Sequence, residues 1–288
     1  MTPRTPGEEQ RFALDSLLPQ EMALEAERLG VEKAETDALT LFVLAVLAGA
    51  FIGLGALLST TVLAGAEALP FGVARLVSGL AFSLGLILVV VGGAELFTGD
   101  NLMVMAWASG RVRLGRMLRA WTIIYAGNLV GGVGTAAMAF IAGQHRFADG
   151  AVGRAALATA EAKVALPWLD ALMLGVLCNV LVCLAVWLSF SARTTTGKIL
   201  AVVPPIAAFV AAGFEHSVAN FYYFAVALII KGLGAHSFWS ALPTSPDSYG
   251  GLDLASAVFN LVPVTAGNIL GGAGLVGAVY WFVYLRRR

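Results

Sequence analysis

Four stretches of this chain carry no charged residue, and each exceeds the about 20 residues a helix needs to cross the hydrocarbon of a bilayer. They are residues 38–66, 120–144, 171–192 and 254–285. Two more stretches are equally apolar but interrupted: 76–110 by Glu95 and Asp100, and 199–230 by Glu215 and His216. Together they predict an all-α membrane protein with six spans, four continuous and two broken. A soluble domain is about one-quarter charged, whereas here 12% of residues are charged and 59% are hydrophobic. Many of the 33 glycines fall inside the apolar runs, as they do where transmembrane helices pack closely. Equal numbers of basic and acidic side chains leave no net charge to attract a polyanion, and two cysteines make no disulfide scaffold. A water-soluble enzyme, a disordered chain and a nucleic-acid binder are excluded.

Residues 1–37 hold 9 of the 18 acidic and 4 of the 18 basic residues. This acidic opening has no basic start and apolar core, so it is not read as a cleavable signal. It is expected to be a cytoplasmic segment ahead of a channel domain at 38–288. Within it, residues 20–29 read as a short amphipathic helix begun by Pro19 and ended by Gly30, with Thr36 or Asp37 capping the first span. Arginines cluster after spans two and four and at the C-terminus (Arg111, Arg113, Arg116, Arg119; Arg193; Arg286, Arg287, Arg288). By the bias of basic loops towards the cytoplasm, both termini are expected there.

The chain also repeats itself. Gly93-Ala94-Glu95 in the second span and Gly213-Phe214-Glu215 in the fifth both place a glycine two residues before a glutamate at the break. Ala126-Gly127-Asn128-Leu129-Val130-Gly131-Gly132 in the third matches Ala266-Gly267-Asn268-Ile269-Leu270-Gly271-Gly272 in the sixth. Two three-helix halves, about 38–145 and 165–285, follow. Three is odd, so the halves have opposite orientations in the bilayer. Broken helices at corresponding positions of inverted repeats point to a transport site near the midplane, because unpaired backbone groups are tolerated there only where protein or a water-lined path satisfies them.

Ionisable groups inside spans are costly and are functional candidates by default. His216 is the sharpest, able to give a proton or a hydrogen bond to an anion; the competing reading is a structural pin on a loop carbonyl. Glu95 and Glu215 would repel an anion. They are expected to accept hydrogen bonds from backbone N–H groups of their own broken helices, and Asp100 to cap a helix or sit in its first turn. Asn128 and Asn268 are read either as polar ties between the halves or as pore-lining groups. Thr98 is placed to face His216 across a pore, with Leu86, Leu96, Phe97 and Phe209 as apolar constrictions and helix ends at Thr98 and Ser217 offering positive dipole to an anion. No Walker loop and no metal helix of the H-E-x-x-H type occur in the sequence, so neither cofactor nor metal is expected.

Gly93-Ala94-Glu95-Leu96-Phe97-Thr98-Gly99 resembles the signature of the formate/nitrite transporter family. So do Gly213-Phe214-Glu215-His216-Ser217-Val218-Ala219-Asn220 and Asn260-Leu261-Val262-Pro263-Val264-Thr265-Ala266-Gly267-Asn268. The stretch Asn179-Val180-Leu181-Val182-Cys183-Leu184-Ala185-Val186-Trp187 is similar to the family's fourth helix. The resemblance implies an aquaporin-like fold, a homopentamer with one pore per protomer, cytoplasmic termini, and transport of small monovalent weak-acid anions: formate first, then nitrite and hydrosulfide. It maps the family's loop threonine onto Thr98 and its central histidine onto His216. One constriction falls on Leu86 and Phe97 beside Leu96, the other on Phe209, and the vestibule lysine on Lys163. By the same resemblance Asn179 belongs to the pore and Asn220 to the second break. The implied mechanism has His216 share a proton with the substrate between two apolar constrictions, because a bare anion is strongly penalised there and its neutral acid is not. Competing classes are an aquaporin-like pore for neutral solutes, which lacks its paired Asn-Pro-Ala motifs here, and an intramembrane enzyme, which lacks a second catalytic group.

Overall fold

A computed structural model describes residues 16–287; residues 1–15 of the polar opening, and Arg288, lie outside the described residues. All regular structure among the described residues is helical. Helix α1, Pro19–Glu35, runs past the end expected at Gly30. Gly30 is a contact rather than a stop. A Cβ there would come 2.9 Å from Ala106 Cβ and 3.3 Å from Met103 Cα, so only glycine lets α1 lie this close to the chain beneath it. The about 1 kcal/mol cost of glycine inside a helix is offset by that packing.

Helix α2, Ala38–Leu63, is capped by Asp37, whose carboxylate accepts from the Leu39 and Thr40 N–H groups. Helix α3, Phe71–Gly92, stops at Gly93, which takes a left-handed φ of 73°. The chain runs on without regular helix to Thr98, then makes a 3-10 turn, Gly99–Met103, and the short α4, Val104–Ala108. Next come α5, Leu114–Ile141, α6, Ala151–Val164, and α7, Trp168–Ser191. Helix α8, Thr195–Ala212, ends at Gly213 with φ 79°, and after residues 214–216 the chain turns helical again as α9, Ser217–Leu233. The short α10, His236–Ser240, precedes α11, Leu254–Ile269. That helix continues as a π-helical stretch, Leu270–Ala278, and ends as α12, Val279–Tyr284.

Six of these segments are long and apolar enough to cross a membrane. The repeated A-G-N-x-x-G-G motif is where pairs of them meet. A Cβ on Gly131 of α5 would fall on the Val46 carbonyl of α2, and one on Gly271 would fall on the Val176 carbonyl of α7. Without a hydrophobic drive between helices in lipid, such close backbone packing is a main source of association. The outward side chains are apolar too: Phe71 is 80% exposed and Ile141 is 81% exposed, as suits a surface covered by lipid or by neighbouring subunits.

Candidate functional site

Two cavities enter the helix bundle. The first, about 610 Å³, lies under α1 and is lined in part by Lys33, Leu86, Glu95, Leu96 and Asp100. The second, about 410 Å³, lies under α6 and is lined in part by Phe82, Lys163, Phe209, Glu215, His216 and Tyr223. They are called here the α1 mouth and the α6 mouth.

At the α6 mouth, His216 meets the buried Thr98. His216 is 2% exposed and caps α9: its Nδ1 accepts from the Ala219 N–H at 3.0 Å. A backbone N–H can only donate, so Nδ1 carries no proton in this arrangement. The ring proton of the neutral imidazole therefore sits on Nε2. Nε2 lies 2.9 Å from Thr98 Oγ1, to which it donates. That leaves the Thr98 hydroxyl hydrogen available to another acceptor. The imidazole stacks on Phe209 with centroids 5.9 Å apart, and Phe82 meets Phe209 edge-on at 5.4 Å.

Thr98 is held from behind. Its carbonyl accepts from Asn179 Nδ2 and Cys183 Sγ, each at 3.2 Å. Asn179 also donates to Asn101 Oδ1 and to the Asn268 carbonyl. A Cβ on Gly272, inside the π-helical stretch, would collide with Asn179 and Cys183, so the sixth span passes directly against this support. Phe97 lines neither cavity; its ring packs edge-on against Tyr125 at 4.8 Å and Trp121 at 6.0 Å. Leu96 and Leu86 face the α1 mouth, and Phe209 faces the α6 mouth. Ser217 is fully buried, and its N–H goes to Asn268.

The two non-helical segments are pinned in the same way. Asn128 Oδ1 accepts from the Phe97 N–H, and its Nδ2 donates to the Ala45 and Glu95 carbonyls. Asn268 Oδ1 accepts from the Ser217 N–H, and its Nδ2 donates to the Gly175 and Glu215 carbonyls. The Glu95 N–H donates to the Leu44 carbonyl, and the Glu215 N–H to the Leu174 carbonyl. These asparagines do not tie one half to the other, as one of the two readings has it: Asn128 bonds within residues 38–145 and Asn268 within residues 165–285. They satisfy backbone groups that a stopped helix leaves unpaired.

The glutamate side chains do otherwise than expected. Neither accepts from its own segment's backbone; each takes a lysine. Lys163 Nζ donates to Glu215 Oε1 at 2.7 Å, and Asn220 Nδ2 donates to Glu215 Oε2 at 2.8 Å. Lys163 also lies over the Tyr223 ring, 5.3 Å from its centroid. Lys33 Nζ reaches Glu95 Oε2 at 2.7 Å and Asp100 Oδ1 as well. Asp100 sits in the first turn of the 3-10 stretch, one of the two places expected for it, and its carboxylate goes to an ion pair rather than to a cap. Burial works against the Lys33 charge, but Asp100 and Glu95 outweigh it and hold the ammonium above the ordinary lysine value. Lys33, Asn101 and Phe82 were not among the residues expected from sequence. A signal for Lys33 exists: it precedes the first residue of α2 by five positions, as Lys163 precedes that of α7.

The model of the formate/nitrite transporter family matches residues 20–282. The chain belongs to this family. The formate channel FocA of Escherichia coli strain K12 is 44% identical over 273 residues, which cover 94% of this chain and 96% of that one. The FocA of Haemophilus influenzae is 40% identical over 272 residues, with the same coverage. Among solved structures, one described as a pentameric formate channel with formate bound superposes with a TM-score of 0.83 at 42% identity, over 86% of this chain and 98% of that one. Another, an FNT family ion channel, gives 0.77 at 30% identity over 91% and 98%. Membership makes the chain a membrane transport protein rather than an enzyme.

Proposed function

We propose that this protein is a channel for small monovalent weak-acid anions, with formate as its main substrate and nitrite and hydrosulfide as possible alternatives. It works as a homopentamer in the inner membrane, each protomer with its own pore and both termini cytoplasmic. Residues 1–37 form the cytoplasmic segment and 38–288 the channel. The channel is an aquaporin-like bundle of two inverted three-helix halves whose second and fifth spans are broken. The matched pins at Asn128 and Asn268 and the two stops at Gly93 and Gly213 support the repeat. The pentameric formate channel among the similar structures supports the assembly and the substrate.

The observation that carries the reading is the His216–Thr98 hydrogen bond at the α6 mouth, which Phe209 lines, while Leu86 and Leu96 line the α1 mouth. An anion entering from the α6 mouth first meets Lys163 and Arg75, whose two positive charges exceed the one negative charge of Glu215 and raise its local concentration. It then reaches a site where Thr98 Oγ–H donates to a substrate oxygen, while His216 Nε2–H donates to Thr98. The proton so shared spreads the anion's charge where apolar walls penalise it most. A proton taken up from cavity water by the anion while these two donors hold it lets it pass as the neutral acid, or close to it, so that protons move with the substrate.

Flux into proteoliposomes tests this. Formate, nitrite and hydrosulfide uptake is followed together with internal pH for the native chain, His216→Ala and His216→Asn. Asparagine keeps an N-cap acceptor for α9, so it separates capping from proton sharing. The expected result is formate preference in the native chain and loss of proton-linked movement in both variants. Unchanged movement in both makes His216 a pin only. Solute flux without any pH change makes the protein a neutral-solute pore.

A further inference from the structure

The α1 mouth holds one more carboxylate than its lysine can neutralise. Lys33 is the cation that pairs with Glu95 and Asp100, whose side chains are 14% and 2% exposed. Both carboxylates meet the one ammonium of Lys33, Glu95 through Oε2 at 2.7 Å and Asp100 through Oδ1, so the two groups lie side by side. Asp100 Oδ2 is buried with no donor. The Asp100 backbone cannot swing away, because Trp121 Nε1 donates to its carbonyl at 3.0 Å.

The α6 mouth shows what is missing. There the residue five positions after the glutamate is Asn220, and its amide supplies the hydrogen that Glu215 Oε2 accepts. At the α1 mouth the residue five positions after the glutamate is Asp100, which brings a second acceptor instead of a donor. Two buried carboxylates sharing a site do not both ionise. What can fill the gap between two oxygens that only accept is a hydrogen.

We propose that Glu95 and Asp100 bind one proton between them, beside Lys33, and that this proton sets the charge of the cluster at the base of the α1 mouth. With the proton bound, the three groups sum to zero. When it leaves to cavity water, they sum to minus one, and this cluster opposes an approaching monovalent anion. The other charged groups facing the cavity are Glu21, Glu25 and Arg28 on α1, with Arg193 and Lys198 opposite. Arg28 is held by Glu25 and Glu32. The consequence for flux rests on the anion-transport reading; the proton site itself does not.

Infrared spectroscopy of the full-length protein in lipid reads the site directly. A carboxylic-acid C=O band is expected at neutral pH, lost on raising the pH, and absent from Asp100→Asn and from Glu95→Gln. The pH titration of the native band needs no variant, so a variant that fails to fold does not blunt it. A native spectrum without such a band, or a band kept in both variants, overturns the proposal. Formate uptake at equal pH on both sides gives the second readout. The Asp100→Asn to native ratio is expected to rise with pH over the range in which the infrared band is lost, and to level off above it. A ratio constant with pH overturns the link to flux. Native vesicles that move no formate, nitrite or hydrosulfide refute the transport reading instead, and the infrared band still decides the proton site.

Discussion

The two mouths share one plan and differ in one side chain. Each has a lysine five residues before a spanning helix, a glutamate at a non-helical segment, and an asparagine pinning that segment. At the α6 mouth the fourth member is Asn220, and the cluster closes with every charge paired. At the α1 mouth it is Asp100, and the cluster carries a surplus acceptor. A scaffold that repeats itself need not repeat its electrostatics. The backbone ties fix where a carboxylate sits, while the residue five positions on decides whether it is a neutral partner or a titrating one.

Removing the lysines gives the largest expected effect. Lys163→Met strands Glu215 with its charge uncompensated, a loss of about 3–5 kcal/mol for a buried pair. Lys33→Met is expected to cost less, because Lys33 is 26% exposed against 14% for Lys163, and Glu95 and Asp100 can both take up protons. Thermal unfolding of the two variants in the same detergent checks the order; equal losses would mean that the mouths are electrostatically alike. Next in size is a transplant. Asn220→Asp gives the α6 mouth its own carboxyl pair, and its formate flux is expected to acquire an extra decline with rising pH that levels off once the pair is ionised. A variant whose pH profile stays native would break the comparison at its main point.

The smallest effect runs in the opposite direction in pH. His145, just before α6, stacks on Phe140 at 4.6 Å and meets Phe238 edge-on at 5.2 Å. Burial lowers its pKa, with the neighbouring Arg146 adding to the shift. With the folded value below the unfolded one, the stabilising contribution is complete above the ordinary value of about 6.5 and is lost as pH falls through the folded value. Protection factors of amides in residues 144–153, with the intrinsic pH dependence of exchange removed, are therefore expected to fall on acidification, and His145→Phe to remove that fall. An unchanged dependence in the variant assigns it to another group.

Several parts of this organisation are legible in the chain. The uncharged runs mark the spans because burying charge in hydrocarbon is costly at any position along a helix. Gly93 and Gly213 mark the stops, and Thr98 and His216 stand beside them, so these two were expected together and are found 2.9 Å apart. Other parts were read differently. Gly30 looked like a helix end and is a packing contact. Glu95 and Glu215 looked like acceptors for their own backbone and are lysine partners. In each case the local pattern allowed several partners, and the choice among them came from another segment.

The sequence by itself determined the family, the number of apolar spans, the recurrence of its Gly-x-Glu and A-G-N-x-x-G-G motifs, and the pairing of His216 with Thr98. All of these follow from composition and short-range spacing, where a residue's neighbours are known in advance. Only the tertiary structure decided that Lys33 meets Asp100 across 67 positions of chain, that Asn179 braces Thr98, and that the imidazole proton sits on Nε2. A hydrogen bond or an ion pair is satisfied by whatever group the packing brings within about 3 Å, and that proximity is set by how the helices close on one another.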